Sequence, residues 1–360
     1  MGGGPAGLAA AIALRSKGCS VSLFDCANPP IDKACGEGLM PESIRALREL
    51  GVDIPARTGF PFRGVCFVDS DSRVCAEFPN GSAIGLRRTV LHQLLVDRAR
   101  EVGGVLHWNT KALRFAEQAL TVNGKAMRPK LVVAADGQNS ALRRAAGLNK
   151  LRRECRRFGF RRHYRIAPWS EYMELHWGPR SQLYITPISE CEVGVALLSS
   201  DPKLRLDTAL PEFPEVASRL SSAQPLTTEM GAITALRTLQ RVCRPSFALI
   251  GDASGSVDAI TGEGMCLAFR QALALADAFA AGDFATYEHR HRALLRRPAV
   301  MASLLLMLAN HNQLRRRVLA SFAKRPQVFA RFLAIHSGES SPLELCDWSL
   351  LNFGLDLLTA

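Results

Sequence analysis

Ten cysteines are spread along this chain of 360 residues, yet no two are spaced as Cys-x-x-Cys. Cys19, Cys26, Cys35, Cys66, Cys75, Cys155, Cys191, Cys243, Cys266 and Cys346 follow no metal-ligand rhythm. That spacing excludes a zinc ribbon and a dithiol redox motif. A charged-then-apolar leader is lacking at the start, so the thiols are expected to be reduced in a cytoplasmic protein. No apolar stretch reaches bilayer length. The longest, Pro298 to Ala309, stops at Asn310-His311 and reads as a core helix. Arg315-Arg316-Arg317 behind it leaves a peripheral membrane contact as the minor reading. The usual nucleic-acid modules are missing too, so a net charge of +12 does not point to nucleic acid.

What is present is an ordinary globular balance, 48% hydrophobic and 22% charged, enough for one large or two mid-sized domains. The arginines crowd between Arg143 and Arg165, a run that includes Arg152, Arg153, Arg156, Arg157, Arg161 and Arg162. Such a run reads as a solvated linker face, or as an electrostatic funnel for an anionic partner such as NADPH.

Periodicity predicts an alanine-rich helix from Leu8, a short strand to Asp25, a helix over Pro41 to Leu50, and another over Arg88 to Val102. Alternating segments at 60–86, and strands at Val105–Trp108, Ala112–Phe115, Leu120–Val122 and Leu131–Ala135, lie around these. Strand-like runs return between 158 and 198, loop and helix fill 201–240, and Ser246–Ile250 is a buried-type strand. A helix over Gly264–Ala281 follows, and everything beyond about 285 is helical and basic. The fold class is α/β: a discontinuous dinucleotide-binding domain (1–58, 86–150, 241–290), an inserted mainly antiparallel sheet (59–85, 151–240) and a helical region (291–360).

Gly2-x-Gly4-Pro5-Ala6-Gly7 is a dinucleotide fingerprint. Its first glycine makes the tight turn, its second lets backbone approach a pyrophosphate, and its third lets the helix pack closely. The next strand ends in Asp25, where an acid is expected to accept from the adenosine ribose. Further on, Val132-Val-Ala-Ala-Asp136-Gly137 and Ala248-Leu-Ile-Gly251-Asp252 are apolar strands that end in acid and glycine. The second leads to Gly262-Glu263-Gly264, which opens a helix.

In this order the three segments resemble those of FAD-dependent monooxygenases and geranylgeranyl reductase-like flavoproteins, and the likeness covers about residues 1–290. It implies a Rossmann-like FAD-binding domain in which Asp252 accepts from the ribityl hydroxyls and the Gly262–Gly264 helix start meets the pyrimidine edge. Arg88 resembles the arginine that reaches the FAD phosphates; a plain helix-surface arginine is the competing reading. Asp32-Lys-Ala-Cys35-Gly36-Glu37-Gly38 resembles the reductase segment beside the isoalloxazine, with Cys35 as a lining or a catalytic thiol. Members also carry a hydrophobic strand before the first glycine, where this sequence has only Met1. Four buried β-branched residues fewer forfeit about 6–12 kcal/mol, comparable with a domain's net stability. The expectation is a polypeptide that starts upstream, or weak FAD binding.

A second Gly-x-Gly-x-x-Gly is absent, so NAD(P)H is expected to visit the flavin transiently. The resemblance implies first a monooxygenase of an aromatic or polyketide-like molecule. Phe158, Phe160, His163, Tyr164, His176, Trp177 and Tyr184 of the inserted sheet would line its substrate site. An alkene reductase on an isoprenoid is the first rival, supported by the Cys35 segment and by Gly255, where aromatic hydroxylases often carry histidine. A flavin halogenase lacks support because no Trp-x-Trp occurs. A non-catalytic flavin- or lipid-binding protein completes the readings.

Overall fold

The computed structural model describes residues 1–110, 112–116 and 119–341. Cys346, Trp348 and the end of the expected helical region lie outside the described residues. Helix α1 (Pro5–Ser16) starts with Pro at its first turn and buries Leu8 through Ala13 in succession. Alanines on both faces let it sit between α3 (Arg88–Glu101) and α7 (Gly264–Ala280). α2 (Pro41–Glu49) packs on α7 as well. Short parallel strands complete this nucleotide layer: Ser22–Phe24 beside Val105–His107, and Val132–Ala134 beside Phe247–Leu249.

Those two parallel pairs belong to separate sheets, with Met1 and Gly2 between them. The Met1 ammonium donates to Val133 O at 2.8 Å, Ala135 N donates to Met1 O at 2.7 Å, and Gly2 N donates to Phe24 O at 2.9 Å. Met1 and Gly2 together thus bridge the place where the resemblance puts a whole strand. Burial pushes the Met1 amine down to about 6, against the pull of Asp136 and Asp25.

The second layer is an eight-stranded mixed sheet whose middle runs Leu151–Arg165, Glu192–Ser199, Ser181–Ser189, Tyr172–Trp177, Gly64–Asp69 and Ser72–Glu77. All neighbours are antiparallel except Tyr172–Trp177 beside Gly64–Asp69. Two expectations are corrected here. Met230–Leu239 is a ten-residue strand, not loop and helix, and pairs with the first eleven residues of Leu151–Arg165, from Leu151↔Leu239 to Arg161↔Met230. Most of the arginine run is therefore a strand rather than a linker: Arg157 and Arg161 are buried in it, Arg152, Arg153, Arg156 and Arg165 keep a solvated face, and Arg143 is buried on the preceding short helix, Ala141–Ala145.

One sheet face packs on α5 (Leu206–Ala209) and α6 (Pro214–Leu220) through Leu206, Phe213 and Val216. The other meets α8 (Phe284–Asn310), α9 (Asn312–Lys324) and α10 (Pro326–His336) through Trp177, Leu305, Leu319 and Phe329. α8 crosses the expected boundary at 290 without a break. By length and composition alone its 27 residues match a membrane span, with a window of mean hydropathy 1.3. It is core on one side only: Ala302, Leu305 and Leu308 are buried, whereas Val300, Leu304 and Met307 are exposed.

Cys66 and Cys75 face each other across the Gly64–Asp69/Ser72–Glu77 hairpin and form a disulfide, correcting the expectation that every thiol is reduced. On the same sheet His176 is structural. Its Nε2 lies 2.8 Å from Glu174 Oε2, and Arg73 donates to Oε1 at 2.6 Å. Burial raises the Glu174 carboxyl, but the hydrogen bonds from His176 and Arg73 outweigh it and hold the group at about 2. A depressed carboxylate stabilises the fold above its ordinary value of 4.5 and loses that stabilisation as pH falls toward 2. Wild-type stability is expected to drop by about 3 kcal/mol more than that of Glu174→Gln over this window, measured by urea unfolding.

Candidate functional site

The glycine turn at the start of α1 opens into a cavity of about 770 Å³ between the two layers. Gly2 has φ +98°, and a Cβ there would lie 2.3 Å from Ala135 O. A Cβ on Gly7 would lie 1.8 Å from Gly2 O, so Gly7 carries the close approach of helix to turn and does not line the cavity. Gly4 is different. A Cβ there would meet nothing within 4 Å, because its bare face points into the cavity. As the N-cap it offers no side chain to the first turn of α1, whose free N–H groups form an anion site. Asp25 lines the same wall and accepts from Gly3 N at 2.5 Å and Ala27 N at 2.7 Å, which fixes its carboxylate beside the turn.

Three further segments close around this point. Asp136 and Gly137 line the cavity from the end of Val132–Ala134, with the Asp136 carboxylate 2.5 Å from Ser140 Oγ at the start of α4 (Ala141–Ala145). Gly251 and Asp252 line it from the end of Phe247–Leu249, where Asp252 Oδ2 pairs with Lys33 Nζ at 3.0 Å. Gly262 and Gly264 bring the uncapped start of α7 to its edge. Arg88 lines it from the first residue of α3, and its Nε is buried without a partner. An arginine with a spare buried donor at an open glycine turn is suited to a phosphate.

A buried polar network that sequence reasoning missed joins the Cys35 loop to the sheet along the cavity. Arg161 is 2% exposed, donates to Asp32 Oδ1 at 2.5 Å, and lies 3.0 Å from His163 Nδ1. His163 Nε2 in turn lies 2.5 Å from Glu37 Oε2. Since a guanidinium only donates, His163 accepts at Nδ1 and carries its proton at Nε2, facing the Glu37 carboxylate. Glu37 Oε1 accepts from Arg88 N at 2.8 Å, so the network ties the loop to α3. Glu37 holds φ +58° between Gly36 and Gly38, a left-handed conformation that these contacts maintain. The signal available was only charge: Asp32 and Glu37 in the loop, and an arginine on the inward alternation of a strand.

These features make a nucleotide cradle with open phosphate, ribose and ring ends. The family model described as an FAD-binding domain matches residues 1–295. The chain belongs to that family. Digeranylgeranylglycerophospholipid reductase 1 of Methanopyrus kandleri is 29% identical over 294 residues, covering 74% of this chain and 75% of that protein. FAD-dependent urate hydroxylase of Klebsiella pneumoniae is 24% identical over 320 residues, covering 78% and 80%. A solved flavoprotein/dehydrogenase from Cytophaga hutchinsonii has the same fold, with a TM-score of 0.80 at 19% identity over 94% of this chain and 91% of that one.

In this flavoprotein the residues present fit FAD. Arg88 Nε lacks a partner, Gly4 is open, and two helix starts point unused N–H groups inward. The first turn of α1 and Arg88 would hold phosphates, Asp25 and Asp252 sugar hydroxyls, and the start of α7 the ring, where FAD supplies a two-electron carrier. Of the other residues singled out in the sequence, Cys35, Phe160 and Tyr184 line the cavity. Phe158, Tyr164, His163, His176 and Trp177 do not: they belong to the sheet's packing or its buried ion pairs. Glu263 also fails to line it, because its side chain turns toward Arg297 and His336. Among the described residues no cluster of His, Cys, Asp and Glu is disposed to hold a metal.

Proposed function

We propose that this flavoprotein is a reductase that saturates carbon–carbon double bonds of an isoprenoid-like substrate, with NAD(P)H as the transient electron donor. The carrying observation is the wall that the sheet gives the cavity. Phe160, Met173, Ala196, Leu198 and Ile233 are apolar, and the polar side chains among them are already engaged: the Tyr184 hydroxyl with Ile260 O, Thr234 Oγ1 with Ala259 N, and Arg161 with Asp32 and His163. Such a wall recognises a long hydrocarbon by area rather than by hydrogen bonds. Cys35, with Gly36 and Gly38, forms the adjoining edge. The relative from Methanopyrus kandleri, named as a lipid reductase, supports this reading. A hydrophobic small molecule is then the partner.

Hydroxylation of an aromatic molecule is the second reading, favoured by the Phe160 and Tyr184 rings in the wall. NADPH and a prenylated substrate, incubated with the FAD-loaded protein under argon and under air, separate the two. Saturated product under argon, about as much as under air, is the expected result. Product that forms only with oxygen would end the reductase reading.

A further inference from the structure

On the side of α7 away from the cavity, the C-terminal helices bring a second charged cluster to the same helix start. Glu263 is 4% exposed, and its Oε1 accepts from Arg297 of α8 at 3.2 Å. Arg297 also donates to Glu42 of α2 at 2.5 Å, and Arg270 of α7 stands 3.6 Å from the other Glu42 oxygen. Glu263 Oε2 has no partner. It faces His336 Nδ1 of α10, equally without one, across 3.8 Å.

The other His336 nitrogen, Nε2, lies 2.9 Å from Thr261 O, and a carbonyl only accepts, so Nε2 carries hydrogen. Neutral His336 therefore presents a lone pair at Nδ1 to a carboxylate oxygen. Two buried acceptors that face each other are satisfied together only when the pair takes one proton. Burial pushes the Glu263 carboxyl up, while His336 and Arg297 draw it down and Glu42 raises it. Cys266, one turn along α7, is a further titratable neighbour, with a thiol that burial pushes up to about 12.

Gly262 and Gly264, on either side of Glu263, line the cavity at the end of α7 that favours negative charge. We propose that the Glu263–His336 pair takes up one proton when the flavin is reduced, compensating the negative charge that arrives at the start of α7. This rests on the FAD assignment and not on the choice between reductase and hydroxylase. A hydride from NADPH carries two electrons and one proton to the ring, leaving one added negative charge. NADPH loses the C–H bond and leaves as NADP⁺, and a second proton, given up by a solvent hydronium that reverts to water, bonds to the pair. The sum is two protons for two electrons.

The test is the reduction potential of the FAD-loaded protein, titrated with dithionite and a reference dye across neutral pH. Each proton taken up with two electrons is worth about 30 mV per pH unit. The wild-type slope is expected near two protons, about 60 mV. Glu263→Gln, whose amide can donate to Nδ1 and so needs no proton, is expected near one, about 30 mV. Glu49→Gln, at an exposed carboxylate, keeps the wild-type slope. If Glu263→Gln does not fold, His336→Gln is read instead and is expected to give the one-proton slope. A one-proton wild-type slope, or a two-proton slope in the folded variant, overturns the proton site alone. A protein that takes up no flavin overturns the cofactor assignment as well.

Discussion

Gly4→Val is expected to abolish FAD binding while leaving the melting temperature of the flavin-free protein unchanged. Gly4 has φ −71° and ψ 178°, a conformation valine adopts without strain, and its Cβ would project into open space. That space is where backbone must approach a pyrophosphate. Displacing the nucleotide from the helix start is expected to weaken binding by at least about 100-fold, or about 2.7 kcal/mol. Fluorescence titration with FAD and a thermal melt read the two halves of the expectation. Gly7→Val supplies the contrast. Its Cβ would lie 1.8 Å from Gly2 O, so the helix must leave the turn and the variant is expected not to accumulate as folded protein. Full flavin binding by Gly4→Val would remove the phosphate from this turn.

Arg161→Met is expected to lower stability by about 3–5 kcal/mol, the cost of leaving a buried carboxylate without its compensating charge. Glu37 is 2% exposed, and the Arg161 guanidinium stands 3.9 Å from its Oε1. Asp32 is partly exposed and can rehydrate, so the penalty concentrates on Glu37. Adding Glu37→Gln is therefore expected to return part of the loss, which a double-mutant cycle in urea measures. Arg161→Lys should not rescue, because one ammonium cannot reach Asp32 and His163 together. Additive losses in the cycle would show that Arg161 and Glu37 do not act as one unit.

The glycine turn, Asp25, the Asp-Gly and Gly-Asp segments and the start of α7 were legible in the sequence because each depends on local backbone geometry. Gly4 must lack a side chain wherever the rest of the chain goes, and an acid after a short apolar strand must end it. The arginine strand was illegible for the opposite reason. Arg157 and Arg161 occupy inward positions where period-two reading expects apolar residues, and only partners distant in sequence, Asp258 for one and Asp32 for the other, neutralise them. Met230–Leu239 was missed likewise: its first residues alternate weakly, and its pairing with Leu151–Arg165 spans nearly the whole insertion. Glu263 was expected at the cofactor because its neighbours are there. Its direction is set by α8 and α10, which no local pattern announces.

The nucleotide cradle is collected from the first few residues, from the middle and from Gly262–Gly264, with His336 reaching the same helix start from far beyond. During synthesis the N-terminal turn leaves the ribosome long before the groups that face it exist. For most of that time its phosphate-binding amides have no ring site or sugar site to work with. Domains fold as units, and here the unit that completes the cradle is nearly the entire described chain. Cofactor loading is therefore a late event, one that a nascent or truncated polypeptide has no means to begin.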